Sequence, residues 1–383
     1  MSTWIIEPRD PLIVRDGRPF GPTPGARAAS LAFPFPSTTT GALRTRAGLD
    51  ADGLFLMSEI PRIKQIGVRG PLLVELDLTT GDIVQWLVPA PADALLLDLE
   101  PRDPNRATLK RLVPLELPPQ SSTNLPSDLS LVGMSKPDPH KPCDEAPRYW
   151  NWRQFQQWLL NPTEDTVAVA DIGHNGPVLE ERMHVRIRRE TQTAAEEAAL
   201  FQTRGLEFTG RENRTRLALA MVTDALNLKA GIAPLGGERR LVVWRQSKRS
   251  LPSVPPGLRE NILRQHHCRV VLLSPAYFLA GSQSSWLVSQ RDGVTSSLQA
   301  MAIGKPQVVS GWDFESNRPK HTRRLAPTGT VLFLKLDGDD ASIEKWIDTI
   351  WMQCVSDHEQ DRRDGFGLAV LGVWDGSMQP IEV

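Results

Sequence analysis

Residues 268–278, "CRVVLLSPAYF", are an apolar run too short for a helix and broken by a proline, which is how a buried strand reads. Its neighbours extend the pattern in both directions. Upstream, "RRLVVWRQ" (239–246) reads as a strand and "PPGLRENILRQ" (255–265) as a helix opened by prolines. Downstream, "GTVLFLKL" (329–336) and "GLAVLGVW" (367–374) read as strands on either side of the helical "ASIEKWIDTIWMQCVSD" (341–357). The order β-α-β-β-α-β predicts an α+β fold of the ferredoxin-like (RRM-like) kind, an antiparallel sheet with two helices on one face and the other face open to a ligand. Residues 280–320 then form an insertion between the second and third strands.

The first half begins with the same strand-then-helix step. "TWIIEP" reads as a strand, and "LIVRDGRPF" as a hairpin arm turning at Asp16-Gly17, which sets Arg15 and Arg18 astride the turn. Those arginines either face a partner outside the chain or solubilise a hairpin tip. In "FPFPSTTTGALRTRAGL", Pro36 blocks helix on its N-terminal side and Ser37 is the expected cap, with no acid in the first turn to compete with an outside anion. Residues 89–147 hold twelve prolines and read as a surface insertion, closed by the amphipathic helix of "YWNWRQFQQWLL" (149–160). A chain of 383 residues suits two domains, expected at 1–228 and 229–383.

Total charge decides little, because 44 Lys and Arg against 45 Asp and Glu leave a net charge of -1. Distribution says more. In "RMHVRIR" (182–188), Met183, Val185 and Ile187 alternate with Arg182, His184, Arg186 and Arg188, giving a strand one apolar and one cationic face. That face either binds anions, phosphates above all, or is a solvated outer face. Residues 236–325 carry 14 Lys and Arg against 5 Asp and Glu, whereas 337–364 carry nine acids against Lys345, Arg362 and Arg363. The acidic helix either opposes the basic loops in a dipolar field or packs beside them.

Catalytic and metal patterns are thin. Cys143, Cys268 and Cys354 form no CxxC pair, and the seven histidines form no HExxH pattern. No run approaches the roughly 20 apolar residues of a membrane span, no secretory leader is visible, and a reducing cytoplasm fits the cysteine usage. "DGDDAS" (337–342) reads as a helix cap rather than a two-metal site. Gly365-Phe366-Gly367 lacks the third glycine of a dinucleotide fingerprint; it is either a close-approach loop with Phe366 as a stacking surface, or a tight turn. Catalytic residues, cofactor and metal are therefore all expected to be none.

Six motifs in order, "WIIEPRDPLIVRDGRPF", "PSTTTGALRTR", "HVRIRRETQTAAEEAALFQTRGLEF", "LGGERR", "SGWD" with its later basic cluster, and "GFGLAVLGVW", resemble the third-subunit family of the Cmr complex, in the RAMP superfamily of type III-B CRISPR effectors. The resemblance spans Trp4 to Trp374. It implies a non-catalytic RNA-binding protein of two ferredoxin-like RAMP domains that holds the 5′ repeat-derived tag of the crRNA. It also implies docking to the large cyclase-type (palm-domain) subunit and the backbone RAMP subunits, indirect contact with target RNA, and no membrane. Carried over, Ser37, Thr38, Arg44 and Arg46 lie on the first RNA-facing helix, and His184, Arg186, Arg188 and Arg189 on an arm (180–210) that contacts the tag. Arg15 and Arg18 match the N-terminal turn, Arg239 and Arg240 the "GGERR" turn, and Lys320, Arg323 and Arg324 the basic cluster. Gly365, Phe366 and Gly367 match the glycine-rich loop; Gln192 stands where the pattern calls for a glycine. The competing readings are a metal-independent endoribonuclease of the same superfamily that processes repeat RNA, and an RNA-free scaffold.

Overall fold

The computed structural model describes residues 1–15, 27, 28, 30–185, 187–194, 200–208, 215–313 and 318–382. In chain order its first half contains β1 (Ser2–Pro8), α1 (Pro36–Ala47), β2 (Val68–Asp77), β3 (Ile83–Pro89), β4 (Tyr149–Asn151), α2 (Trp152–Leu160), β5 (Val178–Val185), β6 (Leu200–Glu207), β7 (Thr215–Thr223) and β8 (Leu241–Ser247). There follow α3 (Leu258–Gln265), β9 (His267–Leu272), β10 (Thr295–Ala302), β11 (Gln307–Val309), β12 (Arg323–Leu325), β13 (Val331–Asp337), α4 (Asp340–Ile350), α5 (Glu359–Arg363) and β14 (Leu368–Val373).

Two antiparallel sheets carry the architecture. The first has β4-β3-β2-β7-β1-β8 as its main sequence of neighbours, and the second has β10-β13-β9-β14. Taking β1, β2, β7 and β8 as strands one to four, their spatial order is 4-1-3-2. Taking β9, β10, β13 and β14 in the same way gives 4-1-3-2 again. The chain thus contains the same wiring twice, although no sequence repeat marks it.

This wiring corrects the expected domain boundary. "RRLVVWRQ" does not open the second unit; β8 pairs with β1 in the register Ile6↔Trp244 and completes the first sheet. Val242 and Trp244 are buried there with Trp4 and Ile6. The first unit therefore runs past residue 228, to Ser247. In the second unit α3 precedes the first strand, and the crossover from β9 to β10 holds only the short helix Ser285–Val288.

The open sheet face is also corrected. β9 and β14 bury successive residues on both sides, as do β1 and β7. The proline-rich segment and its closing helix supply part of that cover. Within 89–147, Ala94–Asp98 and Arg106–Arg111 form strands, and Leu96, Leu97, Ala107 and Leu109 are buried. In α2, Phe155, Trp158 and Leu159 lie on one face at helical spacing and are buried, as the sequence predicts, but the helix begins at Trp152 and Tyr149–Asn151 of the expected span forms strand β4. The helix lies against β14, where a Cβ on Gly372 would stand 3.2 Å from Leu159. The proline-rich segment is thus divided: its strands at 94–111 form a covering layer, while Pro118, Pro119, Pro126, Pro137, Pro139 and Pro142 are exposed, as a surface insertion predicts.

Asp339 caps α4 as expected, accepting a hydrogen bond from the Ser342 amide at 2.7 Å. That bond holds its carboxyl below the usual carboxylate range. A lowered folded value means the cap is complete at neutral pH and is lost as pH falls through it. Asp339→Ala should therefore lower the melting temperature at pH 7 by roughly 2 °C, with the gap from wild type closing below about pH 4.

Candidate nucleic-acid interface

The chain leaving β1 is zipped between two later segments. The Leu12 amide donates to the Leu206 carbonyl at 2.9 Å, and the Gly237 amide donates to the Ile13 carbonyl at 2.7 Å. The turn before β8 then carries Glu238 and Arg239 at φ 57° and 52°, the left-handed pair of a type I′ turn, built here without glycine at either position. Arg239 is exposed. Arg15 and Arg240 both approach Glu238, at 3.6 and 3.5 Å. Arg182 and Arg240 line a shared notch with Pro11 and Thr203. His184 Nε2 lies 2.9 Å from Thr203 Oγ1, and its ring stacks on Phe201 with centroids 5.3 Å apart. Three motifs far apart in sequence thus bring Arg15, Arg182, His184, Arg239 and Arg240 together.

Arg18, Arg186 and the Asp16-Gly17 turn lie outside the described residues. Arg188 and Arg189 follow the arm: the Arg188 amide donates to the Thr193 carbonyl at 2.9 Å, and Arg189 is exposed. Gln192 adopts φ 55°, the left-handed backbone that the expected glycine would take without cost. The arm's cationic face is not free of acids, because Glu180, just outside the quoted stretch, accepts from Arg182 Nε at 2.7 Å. Its apolar face is uncovered, with Met183 64% exposed.

A second group forms where the two units meet. The cap residue of α1 is Phe35 rather than Ser37, no side chain caps the helix, and Ser37 and Thr38 sit half-buried in its first turn. Arg44 turns inward: it pairs with Asp364 at 2.5 Å and donates to the Ile66 carbonyl at 2.8 Å. Arg46 donates to the Lys229 carbonyl and lies over Trp244 at 5.7 Å, and burial lowers its pKa. Arg44 is thereby a correction to the expected RNA-facing set, since its terminal nitrogens are engaged by Asp364 and by the Ile66 and Arg363 carbonyls.

The glycine-rich loop is corrected more fully. Phe366 is completely buried, so it offers no stacking surface. The amides of Gly365, Phe366 and Gly367 all donate within the protein, to Arg362, Asp361 and Pro275 carbonyls at 3.2, 3.0 and 2.8 Å. Arg323 also turns inward, pairing with Asp361 and lying over Phe366 at 5.1 Å. Its neighbours on the β11–β12 hairpin differ: Lys320 and Arg324 are exposed and make no ion pair among the described residues.

One short segment joins the two groups. Arg15 bridges to Ser30, the Leu31 amide donates to the Val14 carbonyl at 2.7 Å, and a Cβ on Gly365 would stand 3.3 Å from Pro36. Six residue steps from Ser30 to Pro36 span at most about 20 Å. Leu325 of the basic hairpin shares a small core with Phe35 and Phe366. The sequence reading missed Arg148, Tyr149 and Gln307, which line the space beside this segment. The repeated prolines of "LAFPFP" were the available signal.

Among the described residues one group has metal-ligand chemistry, Asp98, Cys143 and Glu145. Arg102 lies across it, 3.5 Å from Asp98 and 2.9 Å from Glu145, and supplies the positive charge there. No helix is long and apolar enough to cross a membrane among the described residues.

The family model for CRISPR-associated protein (Cas_Cmr3) matches residues 4–374. The chain belongs to this family. It is a subunit of the type III-B Cmr effector, with a mixed α/β, RAMP-like fold. No curated protein matches it in sequence. Among solved structures, a chain of the type III-B Cmr-beta complex bound to cognate target RNA is 15% identical, with a TM-score of 0.51 and 96% of each chain covered. A chain of the same complex bound to cognate target RNA and AMPPnP is 16% identical, with a TM-score of 0.46, covering 91% of this chain and 88% of that one. A chain of the Csm3-Csm4 subcomplex of the type III-A interference complex is 10% identical, with a TM-score of 0.34, covering 88% and 94%.

Proposed function

We propose that this Cmr subunit is a non-catalytic RNA-binding protein that holds the 5′ repeat-derived tag of the crRNA and docks the large cyclase-type subunit to the backbone. Its two 4-1-3-2 sheets are read as two ferredoxin-like RAMP domains. With both sheets covered, RNA is held at turns and domain edges instead of across an open β surface. The observation that carries the reading is the gathering of Arg15, Arg182, His184, Arg239 and Arg240 from three separate motifs, within about 20 Å of chain from the α1 end. Guanidinium groups on rigid turns suit a single strand gripped mainly by its phosphates. The similar chain of known structure comes from an assembly bound to target RNA, which fits a ribonucleoprotein setting.

Titrating the protein with synthetic single-stranded tag RNA, followed by fluorescence anisotropy, tests this. Log affinity is expected to fall linearly with log salt, and the Arg239→Glu, Lys320→Glu, Arg324→Glu triple variant to flatten the slope by about 0.7 for each phosphate that is no longer neutralised. No RNA affinity, or affinity indifferent to salt, points to a scaffold. Defined cleavage of repeat RNA in EDTA, abolished by His184→Ala, would make the protein an endoribonuclease.

A further inference from the structure

Between α1 and the short helix Ile60–Lys64, residues 51–58, "ADGLFLMS", are all exposed, and four in a row, Leu54 to Met57, are large and apolar. Leu54 and Met57 are 67% and 62% exposed. A contiguous run of this kind marks a surface that a partner covers. Local bonds keep it from folding back onto the core. Asp50 Oδ1 accepts from the Asp52 and Leu54 amides, both at 2.9 Å, and the Asp50 amide donates to the Leu54 carbonyl at 3.0 Å, closing a tight turn through Gly53 at φ 81°. Leu49 bridges to Phe55, and the Leu56 amide donates to the Gly48 carbonyl at 3.1 Å. A Cβ on Gly48 would stand 2.7 Å from the Phe55 ring, so the glycine lets that ring sit against the backbone. Arg62 Nη2 donates to the Ala47 carbonyl at 2.7 Å and fastens the following helix to the end of α1. The apolar side chains are therefore presented on a preformed loop, which loses little conformational entropy on docking.

We propose that this loop is a docking anchor for a neighbouring protein subunit of the effector, which receives Leu54 and Met57 in an apolar pocket rimmed by lysine or arginine. Charge selects that partner. Residues 48–59 carry Asp50, Asp52 and Glu59 and no Lys or Arg. Glu59 is paired with Arg62, so Asp50 and Asp52 set the local field. Two uncompensated carboxylates beside the apolar run repel a phosphate strand and attract a cationic rim. Position agrees with charge. The loop leaves the C-terminal end of α1, whereas the segment from Arg15 and Ser30 joins the N-terminal end, and twelve helical residues set the two ends about 18 Å apart. A protein can therefore cover the loop while RNA occupies the arginine-bearing turns. The proposal rests on the reading that this subunit docks to protein neighbours, and it names the surface and the partner chemistry for one of those contacts.

The probe is the effector assembled without this chain, titrated with the full-length chain. Leu54→Asp with Met57→Asp should weaken association at least about a hundredfold. The melting temperature and tag-RNA affinity of the isolated chain should stay at wild-type values, because neither side chain belongs to the core. Asp52→Lys keeps the apolar run and tests the charge separately: it should weaken association about threefold or more at low salt, with the difference closing as salt rises. This exposed position also carries the test if the double variant folds poorly. In a third arm, benzoylphenylalanine replaces the exposed Ser58 and the complete effector is irradiated; the crosslink should join this chain to a different protein subunit. Wild-type assembly by both variants overturns the anchor and leaves the docking role in place. A crosslink to RNA, or to a second copy of this chain, overturns the anchor as well. A wild-type chain that joins none of the effector's proteins overturns the docking role and the anchor together.

Discussion

Asp93→Ala is expected to destabilise the protein by about 3–5 kcal/mol, read as a large fall in the urea midpoint, because it strands a charge in the interior. Arg269, in the middle of β9, is fully buried, as is Asp93 from the proline-rich segment, and the two side chains are paired. The surrounding bonds knit this pair into both the cover and the second sheet. Arg269 Nε donates to the Val373 carbonyl at 2.9 Å, its Nη2 donates to the Trp158 carbonyl at 2.7 Å, and Trp158 Nε1 donates to Asp93 at 3.0 Å. Truncating the acid leaves a guanidinium with carbonyl acceptors but no counter-charge, and leaves the indole N–H without its acceptor. Asp93→Asn keeps an acceptor for Trp158 and should fall between the two. Replacing both partners, Asp93→Leu with Arg269→Met, removes the charges together and should lose much less than Asp93→Ala alone. If the double variant is as unstable as the single, shape rather than charge dominates the site, and the ionic account fails.

Arg269 also shows why the basic surplus of residues 236–325 overstated the surface. Counting treats an arginine in a strand and one in a turn alike, yet Arg269 pairs inward, Arg323 pairs with Asp361, and Arg259 pairs with Asp348. The acids of 337–364 are in part their partners, so those neighbouring opposite charges act through packing as well as through a field. Periodicity located β9, β13, β14 and the bodies of α2 and α4, since burial of one stripe or run is a local property of sequence, but it ran α4 on to 357 where the structure ends it at Ile350 and makes Gln353–Cys354 a strand. Sheet membership is not local: β8 has the same apolar pattern whichever sheet receives it, and only its pairing with β1 decides. The covered sheets escaped notice for a related reason, because proline excludes regular central strands but not a packed layer of short ones. Turn chemistry was legible where a side chain caps its own helix, as at Asp339, and illegible where Phe35 takes that place with no capping side chain.

Gly365→Ala should cost about 3 kcal/mol or more and reduce the yield of folded protein, whether or not RNA is present. Two independent requirements meet at this residue. Its φ of 95° lies where an L side chain is strained, and a Cβ there would stand 2.5 Å from the Gly70 carbonyl oxygen in β2. Backbone on the far side of the junction cannot yield as a flexible side chain would. The surrounding bonds are equally specific to the junction: Thr40 Oγ1 donates to the Asp364 carbonyl at 2.8 Å, Ser274 Oγ donates to the Gly365 carbonyl at 2.7 Å, and Arg44 pairs with Asp364. Two of the motifs that carry the family resemblance, "PSTTTGALRTR" and "GFGLAVLGVW", therefore meet each other, and their order in the chain records how the two units lock. A loop that gripped RNA directly would give the opposite pattern on substitution: near-normal stability with weakened tag binding. Measuring the urea midpoint and the RNA affinity of Gly365→Ala on the same preparation separates the two. Ser274→Ala supplies a milder second test, since it leaves the Gly365 carbonyl and the Leu368 amide without their shared hydroxyl, at about 1–3 kcal/mol. Loss of stability in both variants, with RNA affinity retained in whatever fraction folds, is the expected result; intact stability with lost affinity would return the glycine loop to the RNA.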